Sequence, residues 1–137
     1  MDKQDIVFID ANIFLEVMLE DSKSENCIIL LNKIETLERQ AKTSDFIIYT
    51  CLLQIQHKLK SMETMKRFIL FINALKGLEI IRPTLKDIYD TMKISEKYKL
   101  DFDDSLVISC MVNNKIKKLI SLDKDFDKAD LIKREEP

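Results

Sequence analysis

Two short apolar runs that each end in an aspartate, IVFID at residues 6–10 and KKLISLD at residues 117–123, constrain this chain more than any other feature. A half-exposed strand alternates apolar and polar residues. Ile6, Val7, Phe8 and Ile9 offer no polar face, which suits a strand covered on both sides. Strands of that kind belong to parallel sheets, whose neighbouring strands are joined by crossovers that are usually helical.

The intervening sequence supplies such crossovers. ANIFLEVMLE and SENCIILLNKIETLERQ read as helices, the second with Cys27, Leu30, Leu31, Ile34 and Leu37 on one stripe and Ser24 as its cap. Lys42 to Asp45 predicts a brief strand. FIIYTCLLQIQHKLKSMETMKRFILFINALK then predicts two helices, with Ser61 capping the second and Gly77 as a C-cap glycine. LEIIRP reads as a strand closed by proline. TLKDIYDTMKISEKYK reads as a helix capped by Thr84 and Asp87, with Leu85, Ile88 and Met92 facing inward. A further helix starts near Asp103 and ends at Asn113 or Asn114, and LIKRE predicts a last edge strand. Alternating strands and helices over 137 residues give one domain, residues 1–137, as an α/β sandwich around a mostly parallel sheet of about four or five strands.

Composition removes several kinds of chemistry. The single glycine, Gly77, rules out phosphate-cradling loops, which need several glycines to bring backbone amides to a phosphate. His57 is the only histidine, so a zinc site built on several imidazoles is impossible. Cys27, Cys51 and Cys110 are far apart and flanked by apolar residues, as buried free thiols are. Charges of both signs are interspersed and the net charge is -2, so bulk charge does not advertise a nucleic-acid partner. With no basic leader, signal-type core or bilayer-spanning run, the chain reads as soluble and cytoplasmic.

LDFDDSLVISC, residues 100–110, places Asp101, Asp103 and Asp104 just ahead of a core-forming run. Each could cap the helix that follows, yet one cap would suffice. Asp10 and Asp123 each follow a strand at its carboxyl end, where open parallel sheets collect ligands, and Asp104 heads the helix that enters the last core strand. If these three converge, their mutual repulsion calls for a shared proton or a cation. An all-oxygen set without histidine favours Mg²⁺ or Mn²⁺, which can orient and activate water against a phosphodiester. The competing reading is that they are caps and turn formers, as Asp21, Asp87, Asp90 and Asp130 are. Asp125 and Asp127 read as caps of the turn after Asp123, and either could also lean into a cation site.

FIDANIFLEVML, TSDFIIY, LDFDDSLVISCMV and LISLDKDFDK, in this order and spacing, resemble the motifs of the PIN-domain family over essentially the whole chain. The resemblance implies the three-layer α/β/α fold shared with FLAP-type nucleases. It also implies metal-dependent ribonuclease activity, as in the VapC-type toxins of toxin–antitoxin pairs. It makes Asp10 the first metal-site acid, Asp104 the third, with Asp103 as its stand-in, and Asp123 the fourth, with Asn12 and Ser121 as supporting polar residues. The family's second acid, a glutamate on the helix after TS, falls on Thr50, which has no carboxylate. Either three acids suffice, aided by Asp45 or Glu16 and by water in the magnesium shell, or the chain is a catalytically degenerate PIN domain that binds RNA or protein.

RNA is the implied substrate, and Lys42, Lys99, Lys115, Lys117 and Lys118 are its candidate phosphate contacts unless they form only a solvated rim. The apolar faces of the midchain helices, including Phe68, Phe71 and Ile72, either pack in the core or, as the resemblance implies, form a homodimer contact or a groove for an antitoxin helix.

Overall fold

Val7, Phe8 and Ile9 form strand β1 (Val7–Ile9), and all three side chains are fully buried in the computed structural model, which describes residues 5–137. The first four residues, included in the reading of a chain without a basic leader, lie outside the described residues. Successive strand side chains point to opposite faces, so a strand buried at every position must be covered on both. The cover is helical. Helices α1 (Ala11–Met18) and α2 (Ser24–Glu35) lead to β2 (Ala41–Ser44). Helices α3 (Asp45–Leu59) and α4 (Met62–Ala74) lead to β3 (Leu78–Ile81). Helices α5 (Leu85–Tyr98) and α6 (Phe102–Asn113) lead to β4 (Lys118–Ile120), and a 3-10 turn (Lys124–Lys128) precedes β5 (Lys133–Glu135).

The strands form one five-stranded sheet in the order β3-β2-β1-β4-β5. Every pairing is parallel, giving the α/β/α sandwich that the apolar runs predict. Burial follows position in this order. The central β1 is wholly apolar, while the edge strands carry exposed Glu79 and Lys133. The core joins β1 and β4 to Phe14, Leu31, Ile34, Ile55, Phe68, Ile108 and Met111 from five of the helices. Phe14 of α1 meets Phe68 of α4 edge to face at 6.2 Å, a favoured aromatic geometry. Phe68 and Ile72, read above as either core or partner-facing, are therefore core residues. The exposed apolar side chains of α4 are instead Met62, Ile69 and Leu70.

Capping explains where most helices begin. Asp10, Ser44 and Ser61 each accept a hydrogen bond from a first-turn amide, and Thr84 and Asp87 form a reciprocal capping box. Ser24 does not cap α2; it is the helix's first residue, and the Glu16 carboxylate takes the adjacent Lys23 amide at 2.9 Å. Leu37 lies beyond the end of α2, exposed and at φ 66°.

The phase of α5 also departs from expectation. Leu85 is 85% exposed and Met92 is exposed, whereas Asp87 and Thr91 are buried. Asp87 must fold back onto Thr84 to close the capping box, and this rotates the stripe of residues 87, 91, 94 and 98 inward. The Asp87 carbonyl and carboxylate then accept from Ser109 and Asn113 of α6, at 2.7 and 2.6 Å. Asp87 is thus a cap and a polar stitch between helices.

Gly77 is not a left-handed C-cap, because its φ is not positive. Its role is close approach. The Gly77 amide donates to Ile34 O and its carbonyl accepts from Ala41 N, both at 2.9 Å. A Cβ there would stand 2.5 Å from Arg39 O and 2.7 Å from Ile34 O, both backbone atoms. Gly77→Ala should therefore lower the unfolding free energy by about 1–3 kcal/mol, the usual cost of overpacking. Urea denaturation measures this, and an unchanged midpoint would contradict it.

Candidate functional site

From β1 the chain builds outward through β2 to β3, then crosses to β4 on the other side of β1. The reversal makes the carboxyl ends of β1 and β4 a topological switch point, where a crevice opens in open α/β sheets. Asp10 follows β1 directly, Asp123 comes three residues after β4, and Asp104 lies in the first turn of α6. All three acids predicted from the sequence stand at this crevice, where Asp10 and Asp123 each raise the proton affinity of Asp104.

A hydrogen-bond network ties the two strand ends together. The Asp10 amide donates to Ile120 O at 3.1 Å. The Asp10 carboxylate accepts from Ala11 N at 2.8 Å, from Ser121 Oγ at 2.7 Å and from Asn12 Nδ2 at 3.2 Å. Ser121 Oγ in turn accepts from Asn12 Nδ2 at 3.1 Å and Asp123 N at 3.0 Å, so its one donor and both lone pairs are used. Asn12 Oδ1 receives Leu122 N at 3.1 Å. The supporting places read for Asn12 and Ser121 thus have a physical content: they set the spacing between Asp10 and Asp123.

Among the described residues, Asp104, Asp123 and Asp125 can each present a carboxylate oxygen within 4.8 Å of the other two. Asp10 does not join this set; it sits behind, 8% exposed, with three of its acceptor sites engaged. Asp103 is exposed beside Asp104 and raises its proton affinity without entering the trio. Asp125 was read from the sequence as a cap of the turn after Asp123 that could also lean into a cation site. The structure reverses those roles: Asp123 Oδ1 accepts the Asp125 amide at 2.9 Å, and both carboxylates remain at the crevice. The aspartate two positions after Asp123 was the available signal, ambiguous because capping uses the same residue types.

The acids stabilise one another's protonated forms. Burial first, then Asp103, Asp10, Asp123 and Asp101, push Asp104 up to about 7. Burial also raises Asp10, against the opposing hydrogen bonds from Ser121 and Ala11. The donor set is hard oxygen throughout. His57 is exposed on α3 and the three thiols are buried with their proton affinities raised by burial. Clustered carboxylates of this kind fit Mg²⁺ or Mn²⁺.

The remaining candidates are engaged elsewhere. Thr50 Oγ donates to Phe46 O of its own helix at 2.9 Å. Asp45 accepts from Arg82 at 3.3 Å, and Glu16 holds the Lys23 amide. Lys42 pairs with Glu79 at 3.3 Å. Lys115, Lys117 and Lys118 stand at the opening end of β4, with Lys118 opposite Val7 and paired with Asp5, so they are across the sheet from the acids. Of the five lysines proposed for phosphate, Lys99 is nearest to the acidic segment in sequence, as the left-handed C-cap of α5 two residues before Asp101.

A family model described as PIN domain matches residues 7–131. No curated protein matches the sequence. Among solved structures, the chain is similar to the Mycobacterium tuberculosis VapC20, described as a sarcin-ricin loop cleaving toxin. The TM-score is 0.72 at 11% identity, over 90% of this chain and 95% of that one. It is similar to VapBC2 from Rickettsia felis, bound to a DNA fragment from the promoter, with TM-score 0.71, 14% identity and coverage of 96% and 98%. It is also similar to a toxin–antitoxin complex from Klebsiella pneumoniae, with TM-score 0.68, 18% identity and coverage of 93% and 95%. At these identities the likeness shows the fold.

Unfolded, Asp104 titrates near 3.8; folded, near 7. Between these values the folded state holds a proton that the unfolded chain has lost, so stability from this group falls as pH rises through the window. Asp104→Asn, uncharged throughout, escapes that loss. In chelator, the variant should melt above wild type at about pH 8, and the gap should close toward about pH 4. Thermal melts across this range check it; equal melting at the alkaline end would contradict the assignment.

Proposed function

Because the chain belongs to the PIN-domain family, we propose that it is a Mg²⁺- or Mn²⁺-dependent endoribonuclease, the toxin of a toxin–antitoxin pair. The observation that carries this reading is the convergence of Asp104 and Asp123 beside Asp10 at the switch point of the sheet. A divalent ion bound there supplies Lewis acidity, activating water and offsetting charge on the phosphate. Asp104 and Asp123 hold that charge in place. Asp10, fixed by Ser121 and Asn12, completes the negative field and sets the distance between the strand ends. Lys99, two residues before Asp101 in the chain, is the candidate phosphate contact.

The partner reading rests on the neighbours described as toxin–antitoxin complexes and on the exposed apolar side chains of α4. An antitoxin segment or a second copy of the chain, as a homodimer, would cover that face. No helix among the described residues is long and apolar enough to cross a membrane, and a cytoplasmic location would place the protein with RNA and antitoxin.

Thr50 favours a second reading. Its hydroxyl is spent on the backbone of α3, so it adds no ligand, and a non-cleaving domain that binds RNA or protein would carry such a residue. A fluorogenic single-stranded RNA separates the two. The nuclease reading expects cleavage with Mn²⁺ that chelator stops. Asp10→Asn and Asp104→Asn should each lower the rate by at least about 100-fold, and Ser121→Ala by about 10- to 100-fold, as for an outer-shell partner. Equal cleavage by the Asp104 variant would refute the nuclease reading, and wild type inert toward every RNA tried would favour the binding module.

A further inference from the structure

Lys33, in the last turn of α2, and Arg39, in the loop that follows, pair with no acid among the described residues. Both line a cleft of about 190 Å³ between α2 and strands β4 and β5. We propose that this cleft binds a small aliphatic carboxylic acid, its carboxylate on Arg39 and Lys33 and its hydrocarbon body against Ile29, Leu30 and Ile120. None of the residues lining it belongs to the acidic crevice, so the inference stands apart from the nuclease reading.

Arg39 carries the argument. Its Nε is buried and finds no acceptor among the described residues. A buried N–H without a partner is costly, and native structures rarely keep one. A cleft of about 190 Å³ has room for more than a single water, which takes about 30 Å³ of liquid. The planar guanidinium matches a carboxylate, whose two oxygens can accept from Nε and one Nη together. The Arg39 amide donates to Lys33 O at 3.0 Å, and this closes the loop so that the two cations share one wall.

The acids that also border the cleft are matched by other cations. Glu135 lies 3.8 Å from Lys133 Nζ and 4.0 Å from Lys118 Nζ, and Glu136 lies 3.6 Å from Arg134 Nη1. Lys33 and Arg39 are therefore the cleft's unmatched charges, and an anion is the ligand that matches them. Exposed Ile29, with Leu30 and Ile120 buried beside it, adds an apolar wall that a short hydrocarbon chain would cover. Inorganic phosphate meets the charge and leaves that wall wet.

A proton–nitrogen NMR titration of the full chain in chelator tests this, with sodium isobutyrate as the probe and sodium phosphate and sodium chloride as controls. We expect isobutyrate to shift the Arg39 Nε–H and the Ile120 amide along one saturable curve, half-complete below about 10 mM. Lys33→Ala, at an exposed helical position, should raise that midpoint about tenfold, and Arg39→Gln should abolish saturation. Shifts that stay linear in wild type, or a midpoint that Lys33→Ala leaves unmoved, overturn the assignment. Saturation by phosphate or chloride as tight as by isobutyrate, the mark of an adventitious ion only, overturns it as well.

Discussion

The hydrogen bond from Ser121 to Asp10, 2.7 Å long, joins the ends of two strands that are 111 residues apart in sequence, and the arrangement of the site depends on it. Without that clasp, Asp10 would lose its shortest link to the segment that carries Asp123, leaving Asn12 and the β1–β4 ladder to set their separation. With it, one hydroxyl fixes both, because Ser121 also accepts the Asp123 amide. Asn12 closes the loop by reaching Asp10, Ser121 and Leu122 at once. Networks in which every polar atom is satisfied hold a buried geometry far better than partly satisfied ones.

The sheet makes this clasp possible. Short parallel strands buried on both faces leave their carboxyl ends at one level, and the order β3-β2-β1-β4-β5 puts the gap between outward-running crossovers over β1 and β4. Helix α6 then delivers Asp104 to the same gap, with Ser105 through Met111 buried behind it. Burying a carboxylate there, and gathering like charge around it, both oppose folding and together raise the proton affinity of Asp104. A wholly buried core offsets that opposition and keeps the acids together. Sites that bind cations commonly carry such strain, because the ion relieves it.

Much of this was legible in the sequence, for identifiable reasons. IVFID could be read as a covered parallel strand because no polar residue interrupts it, and Asp10 and Asp123 could be placed because a strand's end fixes its first following residue. Where two rules competed, the reading failed. Leu85 and Met92 looked inward by apolarity, but the Thr84–Asp87 capping box set the rotation of α5 and buried Asp87 and Thr91 instead. Gly77 looked like a helix stop, yet the space beside it is filled by the carbonyls of Ile34 and Arg39, atoms remote enough in sequence that no local pattern reports them. Lysines 115, 117 and 118 were near the acids only in sequence; three strand residues carry the chain from one end of the sheet to the other. Asp125 stayed ambiguous, read both as a cap and as a residue that could lean into a cation site, since an aspartate after a strand looks the same in either place.

The direct measurement of the central claim is anomalous scattering from a crystal of the wild-type protein soaked in Mn²⁺. The account expects a peak in the crevice beyond β1 and β4, within coordination distance of Asp104 and Asp123. A crevice without a peak, in a crystal where Mn²⁺ has bound elsewhere on the surface, would contradict it.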